Sequence, residues 1–123
     1  MDSWAVLAWL DGLEPAATRV DHVIADQPVI SWINLAEVYY RVWRDHGQPE
    51  AEAVLAQLRQ TLSPDEATPA RTIQAAQIKA VHPIALADCF AAATAAAHGV
   101  PLLTGDPEIL NAPSLGCDVE DLR

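Results

Sequence analysis

The sequence predicts an α/β fold in which a short, mainly parallel sheet is flanked by helices. Short apolar runs such as "PVIS" (Pro28–Ser31) and "VPLLTGD" (Val100–Asp106) are interleaved with longer helical segments, and that alternation is the signature of strands joined by helical crossovers. The helical segments are also sharply punctuated. Glycine closes three of them, at Gly12, Gly47 and Gly99, and Pro83 stops a fourth.

Taken in order, Ser3 to about Asp11 reads as a first helix, with Ser3 as its cap. Ala16–Asp26 is a second, with Pro15 suited to its first turn. Pro28–Ser31 is a short strand, and Ile33–His46 and Pro49–Thr61 are the third and fourth helices. "SPDEATP" reads either as a loop or as a loop holding a short extended piece. Ala70–Val81 and Ile84–His98 are the fifth and sixth helices. "VPLLTGD" is a strand that ends in a turn, and "CDVEDL" (Cys117–Leu122) is a last edge strand. Sites in such sheets form beyond the carboxyl ends of strands, which is where Asp106 falls.

The 123 residues suit a single domain with one real core, and 51% hydrophobic content argues against disorder. No apolar run reaches the roughly 18 residues of a membrane span, and the start lacks the pattern of a signal peptide. Cys89 and Cys117 have neither disulfide-framework nor zinc spacing, so reduced thiols in a cytoplasmic protein are expected. A formal charge of -10 excludes nucleic-acid binding through a broad basic surface. It favours instead a positively charged partner, or acids concentrated for a purpose.

Four carboxylates stand out. Glu37 is the sole acid in the apolar stretch Ile33–Trp43, and Asp88 is the sole charge in the alanine-rich Ile84–Ala97. A carboxylate in a buried helix must be paired, metal-bound or protonated. Glu37 has an ordinary partner available, Arg41 one turn on. Asp106, before Pro107 and Glu108, has the form of a helix N-cap, and Asp2 alone would be a terminal residue. Gathered in one place, the four change meaning. Like charges ~4 Å apart repel by about 4 kcal/mol at an effective dielectric near 20. Such a group calls for protons or a hard divalent cation, Mg²⁺ or Mn²⁺. That combination is suited to phosphodiester hydrolysis, and the cation lets an acidic protein approach RNA.

"DSWAVLAWL" (Asp2–Leu10), "INLAEVYYRV" (Ile33–Val42), "IALADCFAAATA" (Ile84–Ala95) and "PLLTGDPEI" (Pro101–Ile109) together resemble the PIN-domain nucleases, and specifically the VapC toxins of toxin–antitoxin pairs. The resemblance runs nearly end to end. It implies a PIN-like three-layer fold and a Mg²⁺- or Mn²⁺-dependent endoribonuclease acting on RNA. The acidic tetrad, both catalytic and metal-holding, falls on Asp2, Glu37, Asp88 and Asp106, with Ser3 and Thr104 as auxiliary polar residues. It also implies a VapB-like antitoxin partner and a homodimer, for which Trp4, Trp9, Trp32 and Trp43 are either interface or core. In the family the first Asp closes a central strand. Only Met1 precedes Asp2 here, so that strand is expected to be truncated.

His46-Gly47 and His98-Gly99 read as helix C-termini. His22 and His82 receive no catalytic role. Arg41 and Arg44 share the side of Glu37 and either pair with acids or touch the RNA backbone. Lys79 is a second candidate for phosphate contact, and Glu108 is either an auxiliary acid or an ordinary first-turn residue. A phosphatase would need a second Asp two residues after the first, and Trp4 stands there. The alternative of another class is a catalytically silent PIN-like module that only binds a protein partner.

Overall fold

In the computed structural model, which describes residues 1–123, seven α-helices surround four three-residue strands. The order is α1 (Ser3–Leu10), α2 (Ala16–Val23), β1 (Val29–Ser31), α3 (Trp32–His46), α4 (Gln48–Thr61), β2 (Ser63–Asp65), α5 (Pro69–Val81), α6 (Leu86–His98), β3 (Leu102–Thr104), α7 (Pro107–Leu110) and β4 (Val119–Asp121). Strand β1 pairs with β2 and β3 with β4, both in parallel. The Met1–Asp2 stretch lies between the two pairs. The Met1 nitrogen donates to the Val29 carbonyl at 2.8 Å, and the Asp2 N–H donates to the Leu103 carbonyl at 3.3 Å.

Successive strand residues point to opposite faces, and β3 shows what that does here. Leu103 belongs to an apolar cluster with Val6, Val20, Ile30, Leu35 and Leu58, drawn mainly from α1 to α4. Leu102 belongs to another with Ala75, Phe90 and Ile109, drawn from α5 to α7. The strand is therefore covered on both faces, which is the three-layer arrangement expected. A strand buried on both sides reads as a continuous apolar run, as "PLL" does.

Helix boundaries follow local chemistry. The Ser31 hydroxyl accepts from the Ile33 N–H and caps α3, and Thr68 caps α5 through the Arg71 N–H. Gly99 closes α6 in the left-handed region at φ 63°, a conformation nearly free for glycine. Three expectations are corrected. The cap of α1 is Asp2 rather than Ser3. The second helix ends at Val23 and continues to Asp26 only as a 3-10 turn. The sixth helix begins at Leu86, not Ile84, because Ala85 is still extended and stands as its N-cap. The short α7 follows the Asp106 cap, as the form of Asp106-Pro107-Glu108 led one to expect.

The ambiguous "SPDEATP" holds β2. Its last residue, Asp65, is a junction: it accepts from Arg71 Nε at 2.9 Å and contacts His98 Nε2 at 2.7 Å. Burial opposes the charge, but these hydrogen bonds outweigh it and hold Asp65 below the ordinary carboxylate range. Both side chains of the Asp65–Arg71 pair are largely buried. Removing one partner of such a pair strands the other's charge. Arg71→Ala is expected to lower stability by about 1–3 kcal/mol, read as a fall in thermal midpoint. An unchanged midpoint would show that the strand is held without this pair.

Candidate functional site

Asp2 is almost completely buried, at 1% exposure, and is held from two sides. Its Oδ1 accepts the Ala5 N–H at 2.9 Å, which makes it the cap of α1, and its Oδ2 accepts the Thr104 hydroxyl. Thr104 ends β3, and its Oγ1 in turn accepts the Asp106 N–H at 2.9 Å. One hydroxyl, 102 residues from Asp2 in the chain, thus links the first acid to the last. Asp106 is itself the cap of α7, accepting the Glu108 N–H at 2.8 Å. Asp106 is therefore both a cap and a member of the cluster.

Glu37 projects from the middle of α3. Its Oε1 accepts the Ser3 hydroxyl at 2.7 Å and lies 3.4 Å from Asn34 Nδ2. The expected i+4 ion pair with Arg41 does not form, because the carboxylate is turned toward α1 and engaged there. Asp88, in the first turn of α6, is 6% exposed and accepts no hydrogen bond. Burial, followed by the charges of Asp106, Asp2, Glu37 and Glu108, pushes its carboxyl up to about 7. Burial also raises Asp2, to about 6, against the hydrogen bonds from Thr104 and Ala5, with the Asp106 charge adding to the rise. The structure thus assembles Asp2, Glu37, Asp88, Asp106, Ser3 and Thr104 in one place, with Glu108 at its edge. None of the five salt bridges involves the four acids.

Neither basic candidate forms an ion pair with the acids. Arg41 is exposed and shares a small cleft with Trp4, Leu7, Asp11 and Leu13. Lys79 donates its ammonium to the Ile84 carbonyl at 2.6 Å, at the foot of α6. Three of the tryptophans, Trp4, Trp9 and Trp32, pack against the core, while Trp43 is exposed beside Tyr39. Two residues at the site escaped the sequence reading. One is Asn34, wholly buried three positions before Glu37, where a carboxamide in an apolar helix was the available signal. The other is Gly105, between Thr104 and Asp106. A β-carbon there would lie 2.2 Å from Trp4 Cη2, so the indole of α1 rests directly on the turn that carries Asp106.

A family model for the PIN domain matches residues 1–115. The chain belongs to the PIN-domain family. Among solved structures it is similar to the DNA-bound VapBC of Salmonella typhimurium, with 21% identity and a TM-score of 0.77 over 99% of this chain and 96% of that one. It is also similar to VapBC2 of Rickettsia felis bound to a promoter DNA fragment, at 18% identity and TM-score 0.73, covering 97% and 93%. A third is VapC20 of Mycobacterium tuberculosis, described as a sarcin-ricin loop cleaving toxin, at 20% identity and TM-score 0.60, with 80% of each chain covered. A comparison with curated proteins finds no match. PIN-domain nucleases generally depend on a divalent metal. The fold is thus the PIN fold, and the four acids of the resemblance lie together in it.

Two predictions follow from this geometry. Gly105→Ala forces the indole or the turn to move, and overpacking of this kind costs about 1–3 kcal/mol. A lower thermal midpoint is expected, and an unshifted one would mean that Trp4 yields freely. The second concerns pH. Asp2 and Asp88 have folded-state pKa values above the ordinary 3.8, so the folded protein retains protons that the unfolded chain has released. Stability in metal-free buffer is therefore lost as pH rises from about 4 through 7. Asp88→Asn removes the larger shift. Its thermal midpoint should fall less over that range and should equal or exceed that of the wild type at about pH 8. Parallel curves for the two proteins would contradict the charge crowding at Asp88.

Proposed function

We propose that this chain is the toxin of a VapBC-type toxin–antitoxin pair and acts as an endoribonuclease that hydrolyses RNA phosphodiester bonds with Mg²⁺ or Mn²⁺. One observation carries the reading: Asp88, buried and without a hydrogen-bond donor, is surrounded by the charges of Asp106, Asp2, Glu37 and Glu108 with no basic side chain paired to any of the tetrad. A group built for packing alone would not keep this arrangement, since each charge raises the cost of the others.

The donor set fits a hard cation: it is all oxygen, with no histidine or thiol among the four. No three of these groups converge tightly enough to enclose an ion unaided. That favours an ion held by one or two carboxylates at a time and otherwise by water, as Mg²⁺ commonly is. Those carboxylates would come from among Asp2, Glu37, Asp88 and Asp106. When bound, such an ion supplies an activated water and offsets the charge on the phosphate.

The chain's own residues keep the acids in place. Thr104 orients Asp2 and fixes the backbone of Asp106. Ser3 orients Glu37. Asp2 and Asp88 sit at the N-terminal ends of α1 and α6, where the partial positive charge of the helix favours an anion. Arg41 is the better placed of the two basic candidates for the RNA backbone, because the ammonium of Lys79 is already engaged.

A VapB-like antitoxin is the proposed partner, and the net charge of -10 favours a basic one. Leu10, Leu13, Tyr40, Trp43, Ile73, Val81 and Leu86 are exposed apolar side chains open to the antitoxin and to a second copy of the chain, as a homodimer would need. No single helix is long and apolar enough to cross a membrane. The two free cysteines agree with a reducing, cytoplasmic setting.

With Mg²⁺ or Mn²⁺ the purified protein should cleave RNA, EDTA should stop it, and Asp88→Asn should lower the rate by at least about 100-fold while remaining folded. Expression alone should slow growth, and co-expression of the antitoxin should relieve it. A soluble, folded protein that neither cleaves RNA nor slows growth would leave the silent binding module as the reading.

A further inference from the structure

Asn34 occupies a position that packing alone would give to leucine. It lies on α3, it is 0% exposed, and its neighbours on the inner face, Leu35 and Val38, are core residues. Its amide has two uses. Nδ2 donates to the Ala87 carbonyl at 3.3 Å and lies 3.4 Å from Glu37 Oε1. Ala87 immediately precedes Asp88 in the first turn of α6. A single NH₂ group therefore touches the carboxylate of one acid and the backbone beside another. Neither interaction can be made with the carboxamide reversed, since both partners are acceptors.

The carbonyl end of the same side chain tells against a purely structural role. Asn34 Oδ1 is buried with no partner, and a buried acceptor left unsatisfied is a liability that leucine would avoid. The liability is accepted where the donor end serves. Glu37 shows what it serves. Its Oε1 takes both donors, Ser3 Oγ and Asn34 Nδ2, and its Oε2 takes none. One oxygen is tethered and the other carries no hydrogen bond.

We infer that Asn34 is a positioning residue for the acidic site: its buried amide ties Glu37 to the helix that carries Asp88 and so sets how these two carboxylates face the cation and the substrate. The inference rests on the metal-dependent ribonuclease reading above and adds to it a residue that touches neither RNA nor ion. Ser3 holds the same oxygen from α1, so Glu37 is fixed between α1 and α6 rather than swinging with the length of its side chain. Groups behind metal ligands commonly change metal affinity or activity by about 10- to 100-fold when removed.

The test is Asn34→Leu, which keeps the branched outline of the side chain, adds bulk and removes both the amide donor and the orphaned oxygen, measured alone and combined with Glu37→Gln. The expected result is a folded protein whose kcat falls about 10- to 100-fold with KM for RNA changed less than about twofold. The thermal midpoint should rise less with added Mn²⁺ than it does in the wild type, and the leucine substitution should cost little further in the Glu37→Gln background. Wild-type kcat together with a wild-type Mn²⁺ response would overturn the inference, as would full additivity with Glu37→Gln. Should Asn34→Leu fail to fold, Asn34→Ser is read against the same three outcomes. A wild-type protein that binds Mn²⁺ but cleaves no RNA overturns the ribonuclease reading alone, and the Mn²⁺ response of the variants then decides on Asn34.

Discussion

Repulsion among carboxylates is the constraint on which the other features of the site depend. Asp88 faces four other acids from inside a helix and has no donor of its own. In water such groups would drift apart. Here the backbone forbids it, because each acid is anchored to a different part of the fold: the start of α1, the middle of α3, the first turn of α6 and the cap of α7. The energy of packing those elements is what holds the charges near one another.

The anchoring is local chemistry used twice. Asp2 caps α1 and is pinned by Thr104, and Asp106 caps α7 while its own N–H is taken by that same threonine. Helix capping satisfies N–H groups that would otherwise be orphaned. Here it also fixes the direction of an acid. The Met1–Asp2 stretch has a comparable double role, since its two backbone hydrogen bonds reach β1 on one side and β3 on the other. Gly105 lets Trp4 lie on the turn between Thr104 and Asp106, so α1 and the β3–α7 turn are also packed directly together.

Much of this was legible in the sequence because it is written in local signals. Glycine and proline mark the ends of the helices, "Asp-Pro-Glu" marks the cap of α7, and a lone acid in an alanine-rich helix marks Asp88. What escaped depends on contacts between distant segments. The extended piece in "SPDEATP" becomes a strand because β1 lies beside it and because Arg71 and His98 meet Asp65. Glu37 has an arginine one turn away, yet it turns to a serine 34 residues back in the chain. The i+4 rule describes an isolated helix, and here α1 offers a closer, more buried donor. Asn34 was hidden for the same reason, since its partner Ala87 lies 53 residues on.

On the proposed reading, a divalent cation keeps the acids charged together, and without it they hold protons. Metal binding should then displace protons, and titration calorimetry with Mn²⁺ in buffers of different ionisation enthalpy counts them. With Asp88 pushed up to about 7 and Asp2 to about 6, binding at about pH 6 should release roughly one proton or more per ion, and the number should fall toward zero above about pH 8. Binding without proton release across that range, or no binding at all, would rule out this coupling of cation and protons.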